Sequence, residues 1–232
     1  QGNSINYTAD EMIEKFKPLA EEELEISSAD LTFDEGAFSV AGTDRSITLM
    51  DLAEVARKKG KAELLVTEYE YKLPARSYPY GAHFAEVEVD PDTGATSVVK
   101  YTVVDDFGTV MNPMLVEGQV HGGVAQGLGQ ALCENAVYDE SGQLLSGTFM
   151  DYAMPRATDL PSISFQMQPI PSTANEAGIK GCGEAGTVGA MAAVTNAALD
   201  AVWEHGVTRV DMPLTPQRMW GWLDAASRKA AE

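Results

Sequence analysis

The stretch Lys180-Gly-Cys-Gly-Glu-Ala-Gly-Thr-Val-Gly189 precedes a long apolar segment with helical spacing, and the rest of the chain is interpreted outward from it. Its four glycines surround a single acid, Glu184. Glycine loses more backbone freedom on folding than any other residue, so such a cluster indicates unusual dihedral angles or a backbone that lies against something bulky. Glu184 is therefore the first candidate for chemistry.

Two interpretations of Glu184 remain open on the residues alone. In the first, the stretch is a tight turn into a helix, and Glu184 interacts with the positive end of the helix dipole. In the second, Glu184 is a general base buried in an apolar, glycine-lined pocket. A third interpretation fails: Gly181-x-Gly183-x-x-Gly186 matches a dinucleotide fingerprint, but residues 172–180 do not have the pattern of the strand that must precede one.

The composition excludes several classes of protein. The net charge of −19 over 232 residues argues against binding to nucleic acid or anionic membranes and is typical of a soluble cytoplasmic protein. We find no run of about 18 apolar residues, so we expect no membrane span. Because the chain starts at Gln1, we expect it to be a processed product, a truncated form or a piece of a longer polypeptide.

Cysteine and histidine spacings predict no metal ligands from the protein. Cys133 and Cys182 do not form a Cys-x-x-Cys pair, so the chain alone is not expected to bind an iron–sulfur cluster, and both thiols are expected to be reduced. The three histidines are far apart in sequence.

Hydrophobic periodicity predicts an α+β fold in two parts. The first part, residues 1–76, is predicted to contain a helix, a hairpin, a second helix and a strand. The second part, residues 77–232, begins with a clear hairpin and contains a glycine-rich helix and the loop that carries Glu184. The segments behind this prediction are helices at 7–24, 51–60, 114–134, 190–204 and from 215, hairpins at 24–40, 82–104 and 137–149, and strands at 64–71 and 163–170.

The helix predicted after Asn112-Pro113 contains five glycines. Each glycine inside a helix costs about 1 kcal/mol relative to alanine, so five cost about 5 kcal/mol and the helix must be buried to form. One explanation is close packing of helices. The other is contact with a polar organic cofactor, because glutamines accompany the glycines and a glutamine amide both donates and accepts hydrogen bonds.

Two motifs in this order, about 65 residues apart, resemble the molybdenum-binding subunit of the xanthine oxidase family, which includes aldehyde oxidoreductases, N-heterocycle hydroxylases and aerobic carbon monoxide dehydrogenase. They are Glu117-Gly-Gln-Val-His-Gly-Gly-Val-Ala-Gln-Gly-Leu-Gly-Gln-Ala-Leu132 and Lys180-Gly-Cys-Gly-Glu-Ala-Gly186. Further similarity lies in Val104-Asp-Asp-Phe-Gly108, Asn112-Pro113, Asn196-Ala-Ala-Leu-Asp-Ala201 and Pro213-Leu-Thr-Pro216.

The resemblance implies a function and specific site residues. The chain would be the C-terminal part of a molybdopterin-dependent oxidoreductase that oxidises an aldehyde, an N-heterocycle or a similar small molecule, with water as the oxygen source. Glu184 would be the catalytic base, which takes a proton from a molybdenum-bound hydroxide or water. The residues expected to contact the pterin are Gln119, Lys180, Gly181, Cys182 and Gly183.

The resemblance also implies partners and leaves an alternative. The pterin would be the cytosine dinucleotide, its sulfurs would hold the molybdenum, and iron–sulfur (2Fe–2S) and FAD groups would lie on partner subunits or domains. The family's subunit is much longer than 232 residues, so the isolated chain is expected to be inactive without the remainder. The alternative is a non-catalytic cofactor-binding or assembly module with the same fold.

Overall fold

The computed structural model of the chain describes residues 2–231 and contains two compact units, Gln1–Pro74 and Ala75–Glu232. The sequence predicts the boundary between these two units between residues 76 and 77. Each unit contains helices and a three-stranded sheet, the sheet of the second unit is mixed, and the α+β class is confirmed.

The first unit packs two helices onto a three-stranded antiparallel sheet of order β1-β2-β3. Apolar residues of α1 supply much of its core, because Phe16, Leu19 and Ala20 recur at helical spacing and are buried. Thr48 caps α2 by accepting a hydrogen bond from the Asp51 N–H. The elements are α1 (Gly2–Leu24), β1 (Leu31–Asp34), β2 (Ala37–Val40), β3 (Ser46–Thr48) and α2 (Leu49–Lys58), with short 3₁₀ turns at Ser28–Asp30 and Ala62–Leu65.

The strand predicted at residues 64–71 is wrong. Residues 62–65 form a 3₁₀ turn, and no strand follows before residue 80. The backbone of this segment is bound by side chains of α1 instead of by a neighbouring strand: Ser4 donates to the carbonyl of Tyr69, and Lys15 donates to that of Val66. Tyr69 also stacks on Tyr7, with 5.1 Å between ring centroids.

The second unit is built on a sheet of order β4-β5-β6, in which β4 and β5 are antiparallel and β6 joins β5 in parallel. Helix α4 packs against β4 and against α3, so three layers enclose one core. A second cluster joins the end of α4 to α5. The elements are β4 (Tyr80–Val89), β5 (Thr96–Asp106), α3 (Pro113–Leu132), β6 (Ile163–Met167), α4 (Ala185–Trp203) and α5 (Pro216–Ala231), with a 3₁₀ turn at Ala157–Asp159.

Most elements predicted for this unit are present. The hairpin turns at Asp90, whose carboxylate accepts the Asp92 N–H, and Asn112 caps α3 by accepting the Leu115 N–H. The hairpin at 137–149 is reduced to one bridge between Tyr138 and Leu144. The turn between these two residues is stabilised by the side chain of Asp139, which accepts three hydrogen bonds from Ser141 and Gln143. Few backbone groups of the segment therefore remain to form hydrogen bonds between two strands.

Candidate functional site

Glycines allow α3 and α4 to cross at close range. A Cβ atom on Gly186 would lie 2.5 Å from the carbonyl oxygen of Val120, and one on Gly127 would lie 2.7 Å from the Ala190 side chain. Real Cβ atoms do not approach other atoms so closely, and these glycines are therefore required for packing. The hydroxyl of Thr187 donates to the Gly123 carbonyl across the same crossing, at 3.0 Å. The first turn of α4 is thus fixed on α3.

Replacing Gly186 by Ala is expected to destabilise the second unit by about 1–3 kcal/mol, because the added methyl group forces the two helices apart. The matched control is Gly122→Ala in α3, where a Cβ would meet nothing within 4 Å. That change should instead stabilise the helix by up to about 1 kcal/mol. Urea unfolding followed by tryptophan fluorescence measures both effects in this unit, since the tryptophans are Trp203, Trp220 and Trp222. Equal stability of the two variants would refute the packing role of Gly186.

A buried ion pair holds the start of the Glu184 loop. The ammonium of Lys180 lies 2.5 Å from Asp106 Oδ2, and both side chains are almost fully buried. Lys180 also donates its backbone N–H to the carbonyl of Phe107. Asp106 accepts two further hydrogen bonds, from the backbone N–H groups of Gly108 and Ile170. Burial alone would raise the pKa of the Asp106 carboxyl, but these bonds outweigh it and hold that pKa below its usual range.

An open pocket of about 500 Å³ lies between the first turns of α4 and the start of β4. Its surface is mainly apolar. Glu184 is on its wall at the N-cap of α4, and the residues Ala185, Val188 and Gly189 continue the same helix face. Pro79, Tyr80, Gly81, His83, Asp105, Gly181 and Gly183 complete the lining.

The burial expected for Glu184 is not found in this chain. Glu184 is exposed although it lines the pocket, because the pocket is open and the described residues do not cover this position. The expected glycine-lined apolar surroundings are present on the other sides. A carboxylate at this place can accept a proton from a molecule that enters the pocket.

Four glycines near Glu184 have no structural reason within the chain. Gly118, Gly122, Gly181 and Gly183 are exposed, a Cβ on any of them would meet nothing within 4 Å, and none has a positive φ. They differ in this from Gly186, which packing requires. Glycine without a packing or dihedral reason leaves the backbone open, and at these positions it would allow a group outside the chain to approach closely.

The residues predicted to contact a pterin differ in how accessible they are to a ligand. Gln119 reaches from α3 to the loop and donates its side-chain N–H to the carbonyl of Gly183, at 3.0 Å. Gly181 and Gly183 are exposed at the pocket, and Cys182 is half-buried against the core. The side chain of Lys180 is bound to Asp106 and its backbone N–H to the carbonyl of Phe107, so neither group is available to a ligand. The structure therefore brings Gln119, Gly181, Gly183 and Glu184 together.

Sequence reasoning missed three polar side chains under this pocket, His83, Tyr101 and Asp105. They come from adjacent strands and are buried. No motif spacing joins them. The sequence contains polar residues at positions of both strands that face inward, but these positions can be recognised only once the β4–β5 register is known.

Two further properties of the described residues concern metals and membranes. Residues 2–231 contain no group of three or more His, Cys, Asp or Glu side chains that could bind a metal ion. Helix α4 is long and apolar enough to cross a membrane by length and composition alone, with a mean hydropathy of 1.2. It packs against α3 and β4, and a core helix of a soluble protein passes the same test.

The chain is similar to known proteins along most of its length. The family model of the molybdopterin cofactor-binding domain matches residues 1–161. The gamma subunit of the 6-hydroxypseudooxynicotine dehydrogenase complex of Paenarthrobacter nicotinovorans is 35% identical over 225 residues, which cover 94% of this chain and 28% of that protein. The carbon monoxide dehydrogenase large chain of Hydrogenophaga pseudoflava is also 35% identical, with 94% and 28% covered.

Solved structures give the same result. Carbon monoxide dehydrogenase from Oligotropha carboxidovorans superposes with a TM-score of 0.77 at 31% identity, over 96% of this chain and 28% of that chain. Quinoline 2-oxidoreductase from Pseudomonas putida 86 superposes with a TM-score of 0.73 at 35% identity, over 95% and 29%. The chain thus spans under a third of the length of these relatives.

Proposed function

The chain belongs to the molybdopterin cofactor-binding family of the xanthine and carbon monoxide dehydrogenases, and on that premise we propose that it forms one wall of the active site in a molybdenum-dependent hydroxylase or dehydrogenase. The observation that carries the proposal is the position of Glu184 on an apolar pocket beside glycines that no contact within the chain explains. The remainder of the subunit would supply the opposite wall.

In this proposal the cofactor, when bound, supplies the two-electron redox chemistry. The residues of the chain bind and orient it. The exposed backbone at Gly181 and Gly183 allows close approach, and the hydrogen bond from Gln119 holds the Gly183 carbonyl in place. The Lys180–Asp106 ion pair fixes the start of the loop, and the α3–α4 crossing fixes its end. The loop is therefore preorganised before any ligand arrives, which lowers the cost of binding.

Glu184 would act as the general base. Its carboxylate accepts the proton that water, the source of oxygen, loses as the substrate is oxidised. The apolar pocket wall favours a small, largely apolar substrate, and an N-heterocycle or an aldehyde fits this description. Relatives named for nicotine and quinoline oxidation support an N-heterocycle.

The finer assignments are also proposals. We infer the cytosine dinucleotide form of the pterin, iron–sulfur and FAD groups on partner subunits, and a cytoplasmic location. Support comes from relatives that are named as large chains or subunits of complexes. The test is to produce the chain within its complete subunit and partners and to measure molybdenum and the released nucleotide. A correctly assembled complex without molybdenum would refute the proposal.

Replacing Gly183 by Val is expected to lower molybdenum occupancy about tenfold in the assembled complex, because the new side chain occupies the space reserved for the cofactor at a cost of about 1–3 kcal/mol. The fold should be unaffected, since a Cβ at this position meets nothing. Metal analysis and the melting temperature of the isolated chain measure the two effects. The control is Gly221→Val in α5, at another position with open space. Full occupancy in Gly183→Val would contradict the assignment of this surface.

A further inference from the structure

Three buried polar side chains form a connected group beneath the pocket that contains Glu184. The hydroxyl of Tyr101 lies 2.8 Å from His83 Nδ1, and His83 Nε2 lies 3.5 Å from Asp105 Oδ1. The side chains of His83 and Asp105 are 7% and 1% exposed, and Tyr101 is fully buried. The β4–β5 register brings them together, because it pairs His83 with Val103 and Gly81 with Asp105.

The charge on Asp105 requires compensation. Its Oδ2 atom is buried and has no hydrogen-bond partner among the described residues. Lys180, the basic residue of the adjoining loop, is already paired with Asp106. Burial, together with the Asp105 carboxylate, raises the pKa of the Tyr101 phenol, so Tyr101 stays neutral. A buried carboxylate is tolerated only when it is paired or protonated, and the His83 ring, 3.5 Å from Asp105 Oδ1, is in position to be its partner.

The surrounding elements place the imidazole between Asp105 and α4. A Cβ atom on Gly81 would overlap the Asp105 carboxylate, and one on Gly189 would overlap the His83 ring. The side chains of Asp105 and His83 therefore occupy the space that side chains at positions 81 and 189 would need. On α4, the residues that face the pocket, Ala185, Val188 and Gly189, carry no titratable group, and Glu184 at the N-cap is the charge that remains on that wall.

We propose that His83 is a positioning residue of this pocket and that it carries, as an imidazolium, the proton that compensates Asp105. Its Nδ1–H donates to the Tyr101 oxygen, and its Nε2–H faces Asp105. Because the positive ring lies on the α4 side of the pair, it favours the ionised form of Glu184 across the pocket. This last consequence rests on the proposed function, in which Glu184 is a base. The protonation state of His83 does not.

The charge of His83 can be read directly by nitrogen NMR on the full 232-residue chain without cofactor. The chain has three histidines, His83, His121 and His205, so a His83→Gln variant identifies the resonances. At neutral pH we expect both ring nitrogens of His83 to be protonated in the wild type. In Asp105→Asn we expect one neutral tautomer, because the compensating charge is gone. The control is Asp200→Asn, an exposed acid on α4, which should change nothing.

A neutral His83 in the wild type, or an imidazolium that persists in Asp105→Asn, would overturn the proposal. The second readout is the pH dependence of kcat/KM in the assembled enzyme. His83→Gln removes the positive ring from the α4 side of the pair, so the acidic limb should move upward by up to about one pH unit, which is tenfold in proton affinity. Rates that fall equally at every pH would show that His83 is only structural. A chain that fails to bind molybdenum still gives the NMR result, so failure of the proposed function is distinguishable from failure of this inference.

Discussion

Replacing Glu184 by Gln should lower turnover of the assembled enzyme by about 10²–10⁴-fold, the usual contribution of a positioned general base. The amide has nearly the shape of the carboxylate but cannot accept the proton. Molybdenum content should remain at the wild-type level, because in the proposed site the open glycine backbone rather than the carboxylate would hold the cofactor. Steady-state kinetics and metal analysis on the same preparation measure both quantities.

Glu204→Gln is the matched control for this change. Glu204 follows α4 at its far end and is exposed, so its loss alters the net charge equally without touching the pocket. We expect wild-type kinetics for this variant. Unchanged turnover in Glu184→Gln would support the alternative of a non-catalytic binding or assembly module, and it would remove Glu184 from the mechanism.

Replacing Lys180 by Met should destabilise the second unit by about 3–5 kcal/mol, since it leaves the Asp106 carboxylate buried without its cation. Urea unfolding of the isolated chain, followed by tryptophan fluorescence, measures the loss. Lys229→Met in α5, where the lysine is exposed, should have little effect. A loss as small as that of the control would show that the ion pair does not hold the loop.

The pH dependence of this effect has a definite sign. The pKa of Asp106 is lower in the folded chain than its unfolded value of about 4. Its contribution is therefore complete above that value and is lost as the pH falls through the folded pKa. The difference in stability between the wild type and Lys180→Met should therefore begin to shrink as the pH falls below roughly 4. A difference that stays constant or grows as the pH is lowered further would contradict the role of the Asp106 charge.

The sequence was most informative where local chemistry determines local structure. Asn112 caps α3 and the turn at Asp90 closes the β4–β5 hairpin, as their residue types predicted. The prediction failed at residues 64–71, where apolar alternation indicated a strand. Whether an extended segment pairs depends on an available neighbour, and here side chains of α1 bind the carbonyls instead.

The residues of the candidate site were predicted only in part, because sequence motifs are local and contacts between distant residues leave no motif. The glycine cluster and the resemblance led to Glu184 and Gln119, which the structure joins through the Gly183 loop. The resemblance did not predict that the side chain of Lys180 is committed to Asp106, because the two are 74 residues apart. His83 and Asp105 were missed because strand register, which a sequence without an alignment does not provide, brings them together.

The most direct test is to locate the metal by anomalous scattering at the molybdenum absorption edge in crystals of the assembled enzyme. If the proposed site is correct, we expect a single strong peak in the pocket lined by Glu184, Gly181 and Gly183. A molybdenum peak remote from Glu184, with these glycines facing solvent or another protein segment, would contradict the assignment of this surface as the cofactor site.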